Sequence, residues 1–305
     1  MKFAAFFAVA ALVTATSALA DPCTLVRATT VDMTLGANGS PMIPVTVEGK
    51  QLNFLIDTGG VWSGMTEAAV KKVGLPERLQ PYSRQMMFGG HIISKYTSAN
   101  DISLGGLNAH SLQFIILPEG AVPPDIDGII GIDVLAAYDA DFDFGKKKFS
   151  LFSQTHCLGG VVYWTAGYFD RIPFKRSVDG SRHIELVANI DSKPANALID
   201  TGASDTAMSL EYAESMLGVD PKSPDLASLA SSDGRVWGYR YPFKSFSFGN
   251  VAVANPKIDL VPNGEAHVFG GEAPVMVIGT NILSKLHVYV AYGESNVYVT
   301  AADQY

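Results

Sequence analysis

Cysteine is nearly absent: Cys23 and Cys157 are the only two in 305 residues. They allow at most one disulfide, and without a histidine cluster two distant thiols make a poor metal-ligand set. The six histidines are scattered and no His-Glu-x-x-His occurs, which disfavours zinc-dependent hydrolysis. Neither a Gly-x-Ser-x-Gly nucleophile turn nor a phosphate-binding glycine loop is present. No cofactor or metal is implied. Basic residues never run longer than Lys146-Lys147-Lys148, in a turn-like "DFGKKKFSLF" that reads as a solvated hairpin tip. With 22 Lys and Arg against 30 Asp and Glu, nucleic acid is excluded as a natural partner.

Apolar residues, by contrast, are plentiful, at 48% of the chain against 17% charged, so a large core is available and disorder is not indicated. The length suits two lobes. The start reads as a secretory leader: Met1-Lys2, an apolar run from Phe3 to Val13, then Ala18-Leu19-Ala20 as the small-x-small cleavage site. That run is too short for a membrane anchor, and Thr14, Thr16 and Ser17 interrupt its continuation. The expected mature chain begins at Asp21 and carries no membrane anchor, which places it in the periplasm or outside the cell. In such an oxidising compartment Cys23 and Cys157 can form one disulfide, with two unrelated thiols as the alternative.

The chain repeats itself. "NFLIDTGG" at 53–60 returns as "NALIDTGAS" at 196–204. Each copy continues with a hydroxyl residue, Thr66 or Ser209, before a helix-like stretch that ends near Gly74 or Gly218. "ISLGGLNAHSLQFIILPEG" (102–120) lies over "FSFGNVAVANPKIDLVPNG" (246–264) without a gap, as hairpin strands around Gly105 and Gly249. "GIIGIDVLAAY" (128–138) matches "MVIGTNILSKL" (276–286), and "ADFDFGKKKFSLF" (140–152) matches "VYVAYGESNVYVT" (288–300). Four blocks in one order make a duplication. The reading is a mainly β fold with short helices: a leader at 1–20, a first lobe at 21–152, a connection without strong period at 153–170, and a second lobe at 171–305.

Two in-register copies of hydrophobic-hydrophobic-Asp-Thr-Gly, each followed by hydrophobic-hydrophobic-Gly (Ile129-Ile130-Gly131 and Val277-Ile278-Gly279), resemble the aspartic peptidase family. The helix soon after each Asp-Thr-Gly is similar to its compact, retropepsin-like bacterial members. The resemblance covers nearly the whole mature chain and implies a bilobal fold of two duplicated β-barrel lobes. It implies Asp57 and Asp200 as the catalytic pair, with Thr58, Gly59, Thr201 and Gly202 supporting them. Two close carboxylates cannot both ionise, so they share a proton; one member takes a proton from water while the other polarises the scissile carbonyl. Gly59 and Gly202 leave room for close backbone approach to these oxygens. The implied partner is a peptide or protein substrate. Since both aspartates lie in one chain, a monomer acting as an internal pseudo-dimer suffices.

Family members close the cleft with a glycine-bearing hairpin. "MMFGGHIISKY" (86–96) is the candidate in the first copy, with Phe88, Gly89 and Gly90 over the substrate; "SSDGRVWGYRY" (231–241) is the candidate in the second. An ordinary exposed hairpin is the alternative, and no flap tyrosine is assigned. The first copy departs from the family after its glycine: Gly60-Val61-Trp62 stands where a small residue is usual, and Trp62 is either a core anchor or a wall of the cleft. "DADFDFG" (139–145) superficially resembles a calcium loop, but its Gly comes one place late and Ser150 stands where the bidentate Glu belongs, so it reads as a structural strand with one charged face. Two other readings accompany the enzyme: an inactive peptide-binding or inhibitory relative, and a structural module in which both Asp-Thr-Gly turns are only architecture.

Overall fold

In a computed structural model the described residues are 23–36, 39–82, 86–88, 91–176, 182–231, 234–263 and 274–302. The expected leader lies outside them, as do Gly89 and Gly90. Strands dominate, and the few helices are short. Among the described residues, the strands form a ten-stranded sheet in each copy, a six-stranded sheet shared between the copies, and one two-stranded hairpin.

The two ten-stranded sheets repeat one plan. Lys50–Ile56 pairs antiparallel with Pro41–Val47 and parallel with Gly128–Ile130. Its counterpart Lys193–Ile199 pairs antiparallel with Ile184–Ile190 and parallel with Met276–Ile278. The registers agree: Ile56 faces Ile130 in one sheet, and Ile199 faces Ile278 in the other. Both central strands are polar at their start and buried at their end, so the chain dives into the core just before each aspartate. The helix signals are used as read. Thr66 caps Glu67–Val73 by accepting from the Ala69 N–H, and Ser209 accepts from the Tyr212 N–H. Both segments end on a left-handed glycine, Gly74 and Gly218, the second after a π-helical turn over Ala213–Leu217.

The shared sheet joins the copies. Its order is Arg27–Asp32, Lys148–Phe152, Asp139–Asp143, Leu286–Ala291, Asn296–Ala301, Asp170–Pro173, with the middle pair crossing from the first copy to the second. Strand alternation splits it into two faces. Ala140, Phe142, Val288 and Val290 point into an apolar core that runs continuously through both halves. Asp139, Asp141, His287 and Tyr289 point the other way.

That charged face, expected simply as a structural strand edge, is buried beneath the connection. His156 donates from Nε2 to Asp139 at 2.6 Å, and Tyr163 donates to Asp141. The Trp164 ring stacks on His287 at 4.2 Å, and His287 Nε2 donates to Asp141 at 2.6 Å. His156 Nδ1 also meets the Cys157 carbonyl at 3.2 Å. Both of its nitrogens therefore face oxygen atoms, and these partners raise the imidazole above its ordinary range against the opposing effect of burial.

Cys23 and Cys157 are joined in a disulfide, which pins the start of the described chain to this covering segment. The bond closes a loop across a separation of 134 residues. Replacing both cysteines by serine should lower the unfolding free energy by about 2–5 kcal/mol, measured by denaturant unfolding with and without reductant.

Candidate active site

Each aspartate stands at the mouth of a central strand. The Asp57 N–H bonds the Ile130 carbonyl at 3.0 Å, and the Asp200 N–H bonds the Ile278 carbonyl at 3.1 Å. The turn then folds back on its own carboxylate. Asp57 Oδ1 accepts from the Gly59 and Gly60 N–H groups at 2.9 and 2.8 Å. Asp200 Oδ1 accepts from Gly202 and Ala203 at 2.8 and 3.1 Å. Local turn bonding of this kind is what the architectural reading required, and both turns have it.

The cross-copy contacts go further. Thr58 Oγ1 donates to the Ile199 carbonyl at 2.8 Å and accepts from the Thr201 N–H at 3.0 Å. Thr201 Oγ1 donates to the Ile56 carbonyl at 2.6 Å and accepts from the Thr58 N–H at 3.1 Å. Both threonines are buried, so each hydroxyl bonds the backbone flanking the other copy's aspartate, out of water.

The carboxyl groups meet as a result. A Cβ on Gly59 would strike the carboxyl carbon and both oxygens of Asp200, and one on Gly202 would lie 2.5 Å from the Asp57 carboxyl carbon. Only glycine permits this approach. Asp57 is 7% exposed. Burial pushes its carboxyl well above the usual range, the neighbouring Asp200 charge and a hydrogen bond to Asp200 push it further, and the Gly59 and Gly60 N–H groups oppose the rise.

A sequence profile of the aspartyl protease family matches residues 43–134 and again residues 186–282. The chain belongs to the aspartyl protease family. The two matched stretches contain one Asp-Thr-Gly each, so the family match itself records the duplication. Comparison with curated proteins returns no match.

The remaining candidate residues of this aspartyl protease are placed as follows. Phe88 ends a short strand, Met86–Phe88, that pairs with His91–Ile93 and faces His91 across the hairpin. Phe88 and Met86 pack on a small cluster that includes Leu55 and Ile129, neighbours of the Asp57 strand end. Gly89 and Gly90 fall outside the described residues. Trp62 is 50% exposed, so it is no core anchor; it lines an open cavity beside the Asp57 loop.

Sequence reading missed His183, whose Nε2 donates to the Gly59 carbonyl at 2.9 Å and so holds the Asp57 turn from the second copy. It also missed a matched pair of braces. Ser63 Oγ accepts from the Gly131 N–H at 3.1 Å and donates to Asp133 at 2.7 Å. Thr206 Oγ1 accepts from Gly279 at 3.1 Å and donates to Asn281 at 2.7 Å. Overlaying "WSG" on "DTA" and "GID" on "GTN" carried that signal, since a hydroxyl and an Asx side chain recur in register.

Two outcomes test this geometry. Thr201→Val strands the Thr58 N–H and the Ile56 carbonyl in a buried site, and should cost about 2–4 kcal/mol in denaturant unfolding. Because the Asp57 carboxyl titrates higher folded than unfolded, its stabilising contribution is full at acid pH and is lost as pH rises through the raised value. Asp200→Asn removes the opposing charge. Thermal unfolding across pH should therefore show the variant gaining on the wild type as pH increases.

Proposed function

We propose that the protein is an exported aspartic endopeptidase in which Asp57 and Asp200 share one proton across the interface of the two copies. The observation that carries this reading is the mutual approach of the carboxyl groups, each set against the glycine that follows the other aspartate. Two turns serving only as architecture have no need to set their carboxyl groups against one another across the copies. Asp57, the more deeply buried, holds the shared proton at rest. Its partner takes a proton from a bound water as the water oxygen attacks the scissile carbonyl carbon, and Asp57 donates to the carbonyl oxygen. Collapse of that intermediate breaks the C–N bond as Asp200 passes the proton taken from water to the leaving amine and the former carbonyl oxygen returns its proton to Asp57. The threonine exchange keeps this geometry fixed, so reorganisation during the reaction stays small.

The substrate is an extended peptide or unfolded protein segment, covered from the first copy by the Met86–Phe88 hairpin. One chain supplies both aspartates, so the working unit is the monomer. The disulfide between Cys23 and Cys157 supports maturation in an oxidising compartment after the leader at 1–20 is removed, in the periplasm or outside the cell.

Cleavage of a peptide library across pH 3 to 8 tests the proposal. Asp57→Asn and Asp200→Asn should each lower kcat/KM by roughly 10²–10⁴-fold or more, and wild-type turnover should fall as pH rises through the value at which the pair loses its shared proton. Peptide binding without turnover in folded wild-type protein would replace the enzyme by the binding relative.

A further inference from the structure

Beside the Asp57 loop lies a cavity of about 630 Å³. Its apolar and aromatic walls are Trp62, Met86, Tyr96, Leu112 and Ile115, and its one acidic lining residue is Asp133. Among the described residues the lining carries no basic side chain, and the rest of it is neutral. Through its lining residues Trp62 and Ser63 the cavity adjoins the segment that follows the Asp57 turn. The Gly60 carbonyl, three residues past Asp57, accepts from the Ile132 N–H at 2.8 Å, and Asp133 follows directly.

The negative charge at 133 has no structural necessity. The second copy fills the equivalent place with Asn281, which takes the same bonds from the Thr206 N–H and hydroxyl that Asp133 takes from Ser63. A neutral amide therefore suffices as the brace. Asp133 adds an acid to that job at the cavity wall; the residue reaches solvent, while partial burial raises its carboxyl above the ordinary range. Among the described residues no cation forms an ion pair with it, and the nearby Lys95 is engaged by Glu67 and Glu77 at 3.6 and 3.0 Å.

We propose that this cavity is a specificity pocket for a basic side chain of the substrate, arginine above all, with Asp133 as the specificity-determining carboxylate. The walls suit the occupant. An arginine stem packs on apolar walls, its guanidinium plane stacks on an aromatic face such as Trp62 or Tyr96, and its tip meets an anion. Met86 belongs to the hairpin strand, so the same segment that covers the peptide forms one side of the pocket. An all-apolar occupant would leave the Asp133 charge stripped of water and unmatched. The inference rests on the peptidase reading for its ligand class, but its test does not require turnover.

The test uses purified protein carrying Asp200→Asn. Two pools of blocked decapeptides are identical except that one carries arginine and the other citrulline at a fixed position, walked along the peptide. Retained peptides are counted by mass spectrometry. Arginine should be retained roughly 5–10-fold over citrulline at one position of the walk, since the shape is shared and only the charge differs. Adding Asp133→Asn should bring the ratio to about one with the thermal midpoint unchanged, as the Asn281 brace predicts. Gln113→Lys, at an exposed lining position, should abolish the ratio independently of the brace. A ratio near one at every position, or a ratio that survives both substitutions, overturns the proposal. If the wild-type protein cleaves the pools without favouring arginine, the pocket fails and the peptidase stands. If it cleaves nothing while the Asp133-dependent ratio persists, the peptidase fails and the pocket stands.

Discussion

The reciprocal exchange between Thr58 and Thr201 is the constraint on which the site depends. Each hydroxyl donates to the carbonyl preceding the other copy's aspartate and accepts from the N–H following that same aspartate. Four neutral, buried hydrogen bonds, worth about 1 kcal/mol each, thus hold together two groups whose charges repel. Serine could make the same bonds but carries more rotamer freedom; the β-branch of threonine fixes the hydroxyl at little entropic cost. Everything else at the centre follows from this lock. The aspartates cannot move apart without breaking buried bonds, and they can approach only because Gly59 and Gly202 carry no side chain.

The shared sheet supplies the foundation for that lock, and it is held by charge as well as by apolar burial. His287 belongs to the second copy and Asp141 to the first, so their 2.6 Å contact bridges the two. His156 ties the connection to Asp139 of the first copy. Buried pairs of this kind add little net stability when complete, but losing one partner costs about 3–5 kcal/mol because the other charge is left behind. The connection is therefore a structural cover, anchored by its disulfide, and more than a tether.

Much of this was legible in the sequence. Period-two alternation gave the strands, glycine gave the hairpin tips, and comparison of one copy with the other exposed both Asp-Thr-Gly turns and both later glycine motifs. What escaped reading shares a physical cause. The buried face of Asp139 and Asp141 alternates as a solvated strand would, and only a distant segment with no period of its own makes it interior. His183 reaches Gly59 from 124 positions away, a contact that no local window encodes. The exposure of Trp62 ran against its residue type, since a lone Trp is more commonly a core anchor than a cleft wall.

A duplicated chain can also do what a symmetric dimer of one copy cannot, which is to treat its two aspartates differently. The turn bonds, the threonines and the hydroxyl braces at Ser63 and Thr206 are the same in both halves. Gly60 and Ala203 are not. A side chain on Gly60 would come within 2.7 Å of Asp57 Oδ2, whereas the second copy accommodates a methyl group at the equivalent place. Asp57 accordingly lies buried against its turn, and Asp200 keeps partial contact with solvent. In the proposed peptidase, unequal burial would bias where a shared proton rests and so assign the roles of acid and base before any substrate arrives. The divergence at Asp133 and Asn281 follows the same logic one shell outward. Once the brace is satisfied by either side chain, the choice between carboxylate and amide is free to answer to what the cleft must bind.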